Sequence, residues 1–159
     1  MSTQYKDNHI KYSKEVAEEY GLELLVYTAS DYREAIKKAK NIIDETIPET
    51  DMIWITRDVL SFNFELILSY FIENTWDKKI ISMSHSPLAT KRGILFSLYP
   101  NYVAMGKQLV KLIDNPETTG KTHYLQNPQL SFNDRTAQHL KLKIDNDVSS
   151  KIDAFYPSK

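Results

Sequence analysis

Cysteine is absent from the sequence, which excludes a disulfide framework, a thiolate metal site and a cysteine nucleophile, and leaves the redox compartment open. Glycine is scarce, four in 159 residues, so no stretch can assemble a dinucleotide fingerprint, a glycine-rich phosphate loop or a nucleophile elbow. No apolar run approaches the roughly 20 residues that span a bilayer. The opening MSTQYKDNH is polar and has no signal-peptide core, so the chain is expected to be cytosolic or to lack the targeting part of a longer protein. Neither sign of charge dominates: 20 Lys and Arg against 21 Asp and Glu leave a net charge of −1. The two signs are interspersed, with no basic face to hold a nucleic acid. The four histidines, His9, His85, His123 and His139, show no metal-ligand spacing. No metal and no cofactor is therefore expected.

What is present is an alternation of helical and extended patterns. At this length one domain is expected, with enough chain to bury a core without covalent staples. Asn8 to Tyr20 reads as a helix, with Ile10, Val16, Ala17 and Tyr20 on one face and Gly21 at its C′ position. Leu22 to Thr28 (LELLVYT) reads as a strand covered on both faces. Asp31 to Glu34 has capping-box spacing and opens a second helix, with Ala35, Ile36, Ala39, Ile42 and Ile43 inward. Asp51 to Thr56 reads as the next strand and Asn63 to Asp77 as a third helix. A strand from Lys79 to Met83 follows, then a polar loop at Ser84 to Pro87, a turn at Lys91-Arg92-Gly93, and a further strand from Ile94 to Leu98. Pro100 and Asn101 open a fourth helix from Tyr102, which ends at Asn115-Pro116. Thr122 to Gln126 and Leu130 to Asn133 read as short extended pieces, Asp134 to Leu140 as a short helix, Asp145 to Ser150 as a polar run, and Ile152 to Tyr156 as a closing element.

Strands alternating with helices of this length imply an α/β fold: a doubly wound parallel sheet with helices on both faces. The pattern opens on a helix, where such a unit ordinarily begins with a strand, so a first strand is missing.

Binding loops in such sheets follow the carboxyl ends of the strands. Two loops fit. Thr56, Arg57 and Asp58 follow one strand; an Arg can clamp a carboxylate in bidentate fashion and an Asp can accept from an ammonium group, which suits an amino-acid-like solute. The other reading of these residues is an exposed ion pair beside the next helix. Ser84, His85 and Ser86 follow the next strand, where hydroxyls and an imidazole can bond a small polar solute. A turn whose serines satisfy local backbone groups is the alternative. Adjacent residues cannot supply a nucleophile, base and orienter by themselves, so no catalytic residue is assigned and the chain is expected not to be an enzyme. A flavodoxin-like enzyme is disfavoured for the same lack of a nucleophile–base pair.

Several stretches carry a resemblance. Lys91-Arg92-Gly93-Ile94-Leu95-Phe96-Ser97 with Asn101-Tyr102-Val103-Ala104-Met105-Gly106-Lys107-Gln108 resembles a K-[KR]-G-A-L-A-S…[DP]-Y-Y-x-L-G-[RK]-Q run. Leu130 to Leu140 is similar to a closing V-I-N-L-x-T-A-x-x-L signature, and Asp51 to Asp58 to a D-A-I-Y-V-P-T-D-N segment. These belong to the ABC-transporter substrate-binding proteins of the uncharacterised, type I periplasmic-binding-protein class, some of which are associated with aromatic amino acids. The resemblance covers nearly the whole chain and corresponds to the C-terminal half of that family. It implies a single α/β lobe over residues 1–159, one of two between which a solute is held. Elements from 102 to 159 would contact the other lobe, in particular the Tyr102 to Ile113 helix. It further implies an extracytoplasmic location, and a membrane permease or a signalling protein as partner. Arg57 and Val59 stand where the family has Thr and Asn, and Ser84-His85-Ser86-Pro87 where it has an acidic, serine-rich loop, so a different solute, or none, is implied. The alternative function is a degenerate lobe that binds protein, or itself, through the Tyr102 to Ile113 face.

Overall fold

The computed structural model describes residues 3–115 and 123–157, with backbone alone for 3–9. The chain divides into two units, one ending at Ser30 and one beginning at Asp31.

The first unit holds one helix, α1 (Thr3–Glu19), which begins at Thr3 and not at Asn8. Gly21 closes it at φ +69°, with the Leu22 amide bonded back to the Ala17 carbonyl at 2.9 Å. The Leu22 to Thr28 strand does not form. Leu22 and Leu25 are 63 % and 62 % exposed. Strand propensity is a preference for a half-buried pleated surface, and without a neighbouring ladder it does not make a strand.

In the second unit the order is α2 (Tyr32–Glu45), β1 (Met52–Ile55), α3 (Arg57–Leu60), α4 (Phe64–Asp77), β2 (Ile81–Ser84), α5 (Pro87–Arg92), β3 (Phe96–Tyr99) and α6 (Tyr102–Ile113). Then come β4 (Gln129–Asn133), α7 (Asp134–His139), α8 (Asn146–Ser149) and β5 (Ala154–Tyr156). Side-chain caps fix many of the starts: Asp31, Asn63, Asn101, Asn133 and Asp145 each accept a hydrogen bond from the amide three residues on.

The five strands lie in the order β1-β2-β3-β4-β5. The first three are parallel, as the alternation predicts, but β4 runs antiparallel to β3 and β5 follows β4, so the sheet is mixed. A helix does separate β3 from β4, but the chain returns in the opposite sense. Position 122, where the short extended piece was expected to begin, and Pro116 lie outside the described residues. From His123 to Pro128 no strand forms; Gln108 of α6 holds this segment by donating to the Tyr124 carbonyl at 2.8 Å and accepting from the Gln126 amide at 3.2 Å.

Two rows run across the sheet. Trp54, Met83, Phe96, Phe132 and Phe155 are in register on one face. There Leu95, Phe132 and Ala137 form a core cluster with Phe96, Leu140, Ile144, Ile152 and Phe155 against it. The adjacent row, on the other face, is Ile55, Ser84, Ser97, Ser131 and Ala154. Small side chains there let α5 lie close to the sheet, with Thr90 fully buried and its hydroxyl 2.6 Å from that of Ser97. Beyond β1, α2 and α4 pack together through Ala35, Ala39 and Ile43 on one and Ile67, Leu68 and Phe71 on the other.

The helix α5 replaces the expected polar loop and turn. Its grammar was present: Pro87 at the first helical position, Lys91 and Arg92 in the last turn, and Gly93 at the C-terminus with φ +142°.

Candidate functional site

The register pairs Ile55 with Ser84, so the two expected loops leave the sheet side by side at the carboxyl edge of β1 and β2. Thr56, Arg57 and Asp58 are exposed, and His85 and Ser86 are half-buried. A ring contact ties β1 to the second loop: Trp54 meets His85 at 5.1 Å between centroids and 61° between planes. The period-2 alternation of β1 turns Ile53 and Ile55 to one face and Trp54 to the other.

Thr56 occupies the N-cap position of α3 without making a side-chain cap bond, and Ser86 does the same for α5. Neither hydroxyl has a hydrogen-bond partner among the described residues, and Arg57 has no carboxylate partner among them. The rim therefore presents two uncommitted hydroxyls, a guanidinium and an imidazole along adjacent strand ends. Chemically this can bond a carboxylate and a neutral polar group together.

Ser84 is placed differently. It is 0 % exposed and lies in the serine row beneath α5, so the structure separates it from the rim that His85 and Ser86 form. Its Oγ has no hydrogen-bond partner among the described residues. The Ser86 carbonyl, in contrast, accepts from Ser97 Oγ at 2.8 Å, which fixes the start of α5 to β3.

Two small cavities lie away from the rim, and neither is lined by a rim residue. One of about 180 Å3 runs beside α6, between Lys107, Lys111 and Asn127. The other, of about 270 Å3, lies where α4, α5 and α7 meet. Among the described residues no group of three or more His, Asp or Glu could hold a metal ion, and no helix is long and apolar enough to cross a membrane.

No protein-family profile and no curated protein matches the sequence. Solved structures do match the fold. The ABC domain of Streptococcus pneumonia, solved in complex with L-Trp, superposes with a TM-score of 0.67 at 16 % identity over 94 % of this chain and 50 % of that one. A ligand-free, open substrate-binding protein with adhesive properties from Clostridium difficile gives 0.65 at 12 % identity, over 100 % of this chain and 52 % of that one. A conserved domain protein from Vibrio cholerae O1 biovar El Tor gives 0.65 at 16 % identity, over 94 % and 50 %. The chain shares the fold of substrate-binding proteins. It spans about half the length of the structures it matches, and at these identities the likeness is one of fold.

Proposed function

We propose that this chain captures a small polar solute of the amino-acid class at the carboxyl edge of β1 and β2, without catalysing a reaction. It would do so as a lobe of an extracytoplasmic substrate-binding protein that serves an importer or a sensor. The observation that carries this reading is the rim itself. Thr56, Arg57, His85 and Ser86 are brought together by the Ile55–Ser84 pairing, and Thr56, Arg57 and Ser86 hold polar groups that nothing among the described residues engages. Arg57 would clamp a carboxylate, Asp58 would accept from an ammonium group, and the hydroxyls would take the remaining polar edges. Ser84 would act from beneath, as packing under α5. The Trp54–His85 pair offers an aromatic wall, and a solved structure of the same fold holds L-Trp.

The test is calorimetric titration of the purified chain with the common amino acids. Arg57→Ala is expected to weaken the best binder about ten-fold or more, the loss of one charge-assisted pair. Lys111→Ala should leave it unchanged. Equal effects of the two would defeat the assignment.

A second reading rests on α6. None of its residues is buried, and Tyr102, Val103, Leu109, Val110 and Ile113 are exposed by 51 % to 79 %. A helix this apolar ordinarily has a cover. In this reading the chain is an interaction module that self-associates through the Tyr102 to Ile113 face. Sedimentation equilibrium decides: a dimer that Val110→Glu converts to monomer supports it, and a monomer at all concentrations excludes it.

A further inference from the structure

We propose that the cavity between α4, α5 and α7 is a second binding site, for a small oxyanion such as a carboxylate or phosphate group. Its walls come from Trp76, Lys91, Arg92 and Arg135, with Gly93 and Thr136 among the other lining residues. The cavity lies at the opposite end of the sheet from the rim. Because β4 is antiparallel, its carboxyl end reaches the start of β3, where the Asn133 amide donates to the Leu95 carbonyl at 2.8 Å.

Three cations and no carboxylate line this cavity, in a chain whose net charge is −1. Arg92 is neutralised by Glu65, to which it donates at 2.6 and 3.0 Å. Lys91 and Arg135 have no ion-pair partner among the described residues. Unopposed like charges around one concavity hold a positive potential that an anion relieves.

The guanidinium is also restrained. Arg135 Cζ sits 5.7 Å from the centroid of the Trp76 ring. On Trp76 the His139 ring stacks at 3.9 Å and 10°, and His139 Nε2 lies 2.9 Å from the Trp76 carbonyl oxygen. A guanidinium held against an aromatic ring keeps its N–H edges for bidentate contact with an oxyanion and loses little freedom on binding.

The floor is fixed as well. Thr136 Oγ1 donates to the Gly93 carbonyl at 2.8 Å, and Asn133 Nδ2 to the Thr90 carbonyl at 2.7 Å. At Gly93 a side chain would meet Ile72 Cγ2 at 3.0 Å, so the Gly93 backbone lies directly against Ile72. A volume of about 270 Å3 falls just under the range of drug-sized pockets, roughly 300–1,000 Å3, which restricts the occupant to a small anion.

The experiment is a heteronuclear NMR titration with potassium phosphate and with potassium acetate, each against potassium chloride at matched ionic strength. Saturable shifts are expected at the Gly93 amide, the Trp76 indole N–H and the Arg135 Nε–H. Saturation by phosphate alone assigns a phosphate group, and by acetate alone a carboxylate. Arg135→Gln combined with Lys91→Gln should weaken the response about ten-fold or more, and Lys37→Gln, on the exposed side of α2, should not change it. Arg135→Lys keeps the charge and loses the planar fork, and should bind at least about three-fold more weakly. Shifts that chloride reproduces, that spread over lysines and arginines across the surface, or that survive in the double variant would overturn the assignment.

Discussion

Asn133 joins three elements, and its replacement is the sharpest test of how this half of the sheet is held. The side chain is 5 % exposed at the end of β4. Its Oδ1 accepts the Thr136 amide at 3.0 Å and so caps α7, while Nδ2 donates to the buried Thr90 carbonyl of α5 at 2.7 Å. Asn133→Ala removes both bonds. Loss of the cap costs about 1 kcal/mol. Losing the bond to the Thr90 carbonyl, which keeps the Gly93 amide at 3.2 Å, costs about 0.5–1.5 kcal/mol more. The sum, about 1.5–2.5 kcal/mol, moves a urea midpoint by about 1 M at a slope near 2 kcal/mol/M. Asn133→Asp separates the two contributions. A carboxylate still caps α7 but has no proton to give the Thr90 carbonyl, so at pH 7 it should keep the cap's share and lose the other. Urea unfolding followed by circular dichroism at pH 7 measures both variants. Asn133→Ala within 0.5 kcal/mol of wild type, taken as roughly the scatter of neutral surface changes, or an Asn133→Asp penalty larger than that of Asn133→Ala, would refute this account.

The serine row gives a second contrast. Ser97→Ala loses its bonds to Thr90 Oγ1 and to the Ser86 carbonyl and should cost about 1–3 kcal/mol. Ser84→Ala removes a buried hydroxyl that bonds no described residue and should be neutral or slightly stabilising; thermal unfolding that ranks the two the other way would contradict the row as described. At alkaline pH, burial raises the Tyr99 phenol above its ordinary value near 10, with Asp153 and Tyr156 adding to the shift. Its contribution is then complete below about pH 10 and is lost as pH rises past it. Tyr99→Phe should flatten the fall in Tm between pH 9 and 12, and parallel curves would count against it.

The elements set by local chemistry were legible in the sequence. Asp31, Asn63 and Asn101 cap where their positions before apolar periodic runs said they would, because a cap is a contact three residues long. The strands β1, β2 and β3 fell close to the expected positions, and the segments Thr56 to Asp58 and His85 to Ser86 leave the sheet at one edge. What sequence reading missed depends on partners far along the chain. Leu22 to Thr28 has strand composition and no ladder. Ser84, expected in the loop, ends β2, which runs one residue further than expected and turns it under α5. The helix α5 was misread although proline, basic last turn and glycine all marked it, since six residues are too few for a periodic apolar face to show.

The reversal of β4 has the largest consequence for function. In an all-parallel sheet every strand-end loop gathers at one edge, and the Asn133 to Thr136 turn would then join the rim formed after β1 and β2. Antiparallel pairing of Phe96 with Phe132 and of Tyr99 with Gln129 sends it to the other edge. There, Asn133 and Thr136 hold the end of α5 while Arg135 turns its charge over Trp76. The start of α5 is fixed to the rim side of the sheet through Ser86 and Ser97, and its end to the far side through Thr90 and Gly93. One short helix thus touches both candidate sites, with Ser86 at its first turn and Lys91 and Arg92 at its last. Six residues packed over a row of serines leave little room for one end to shift alone.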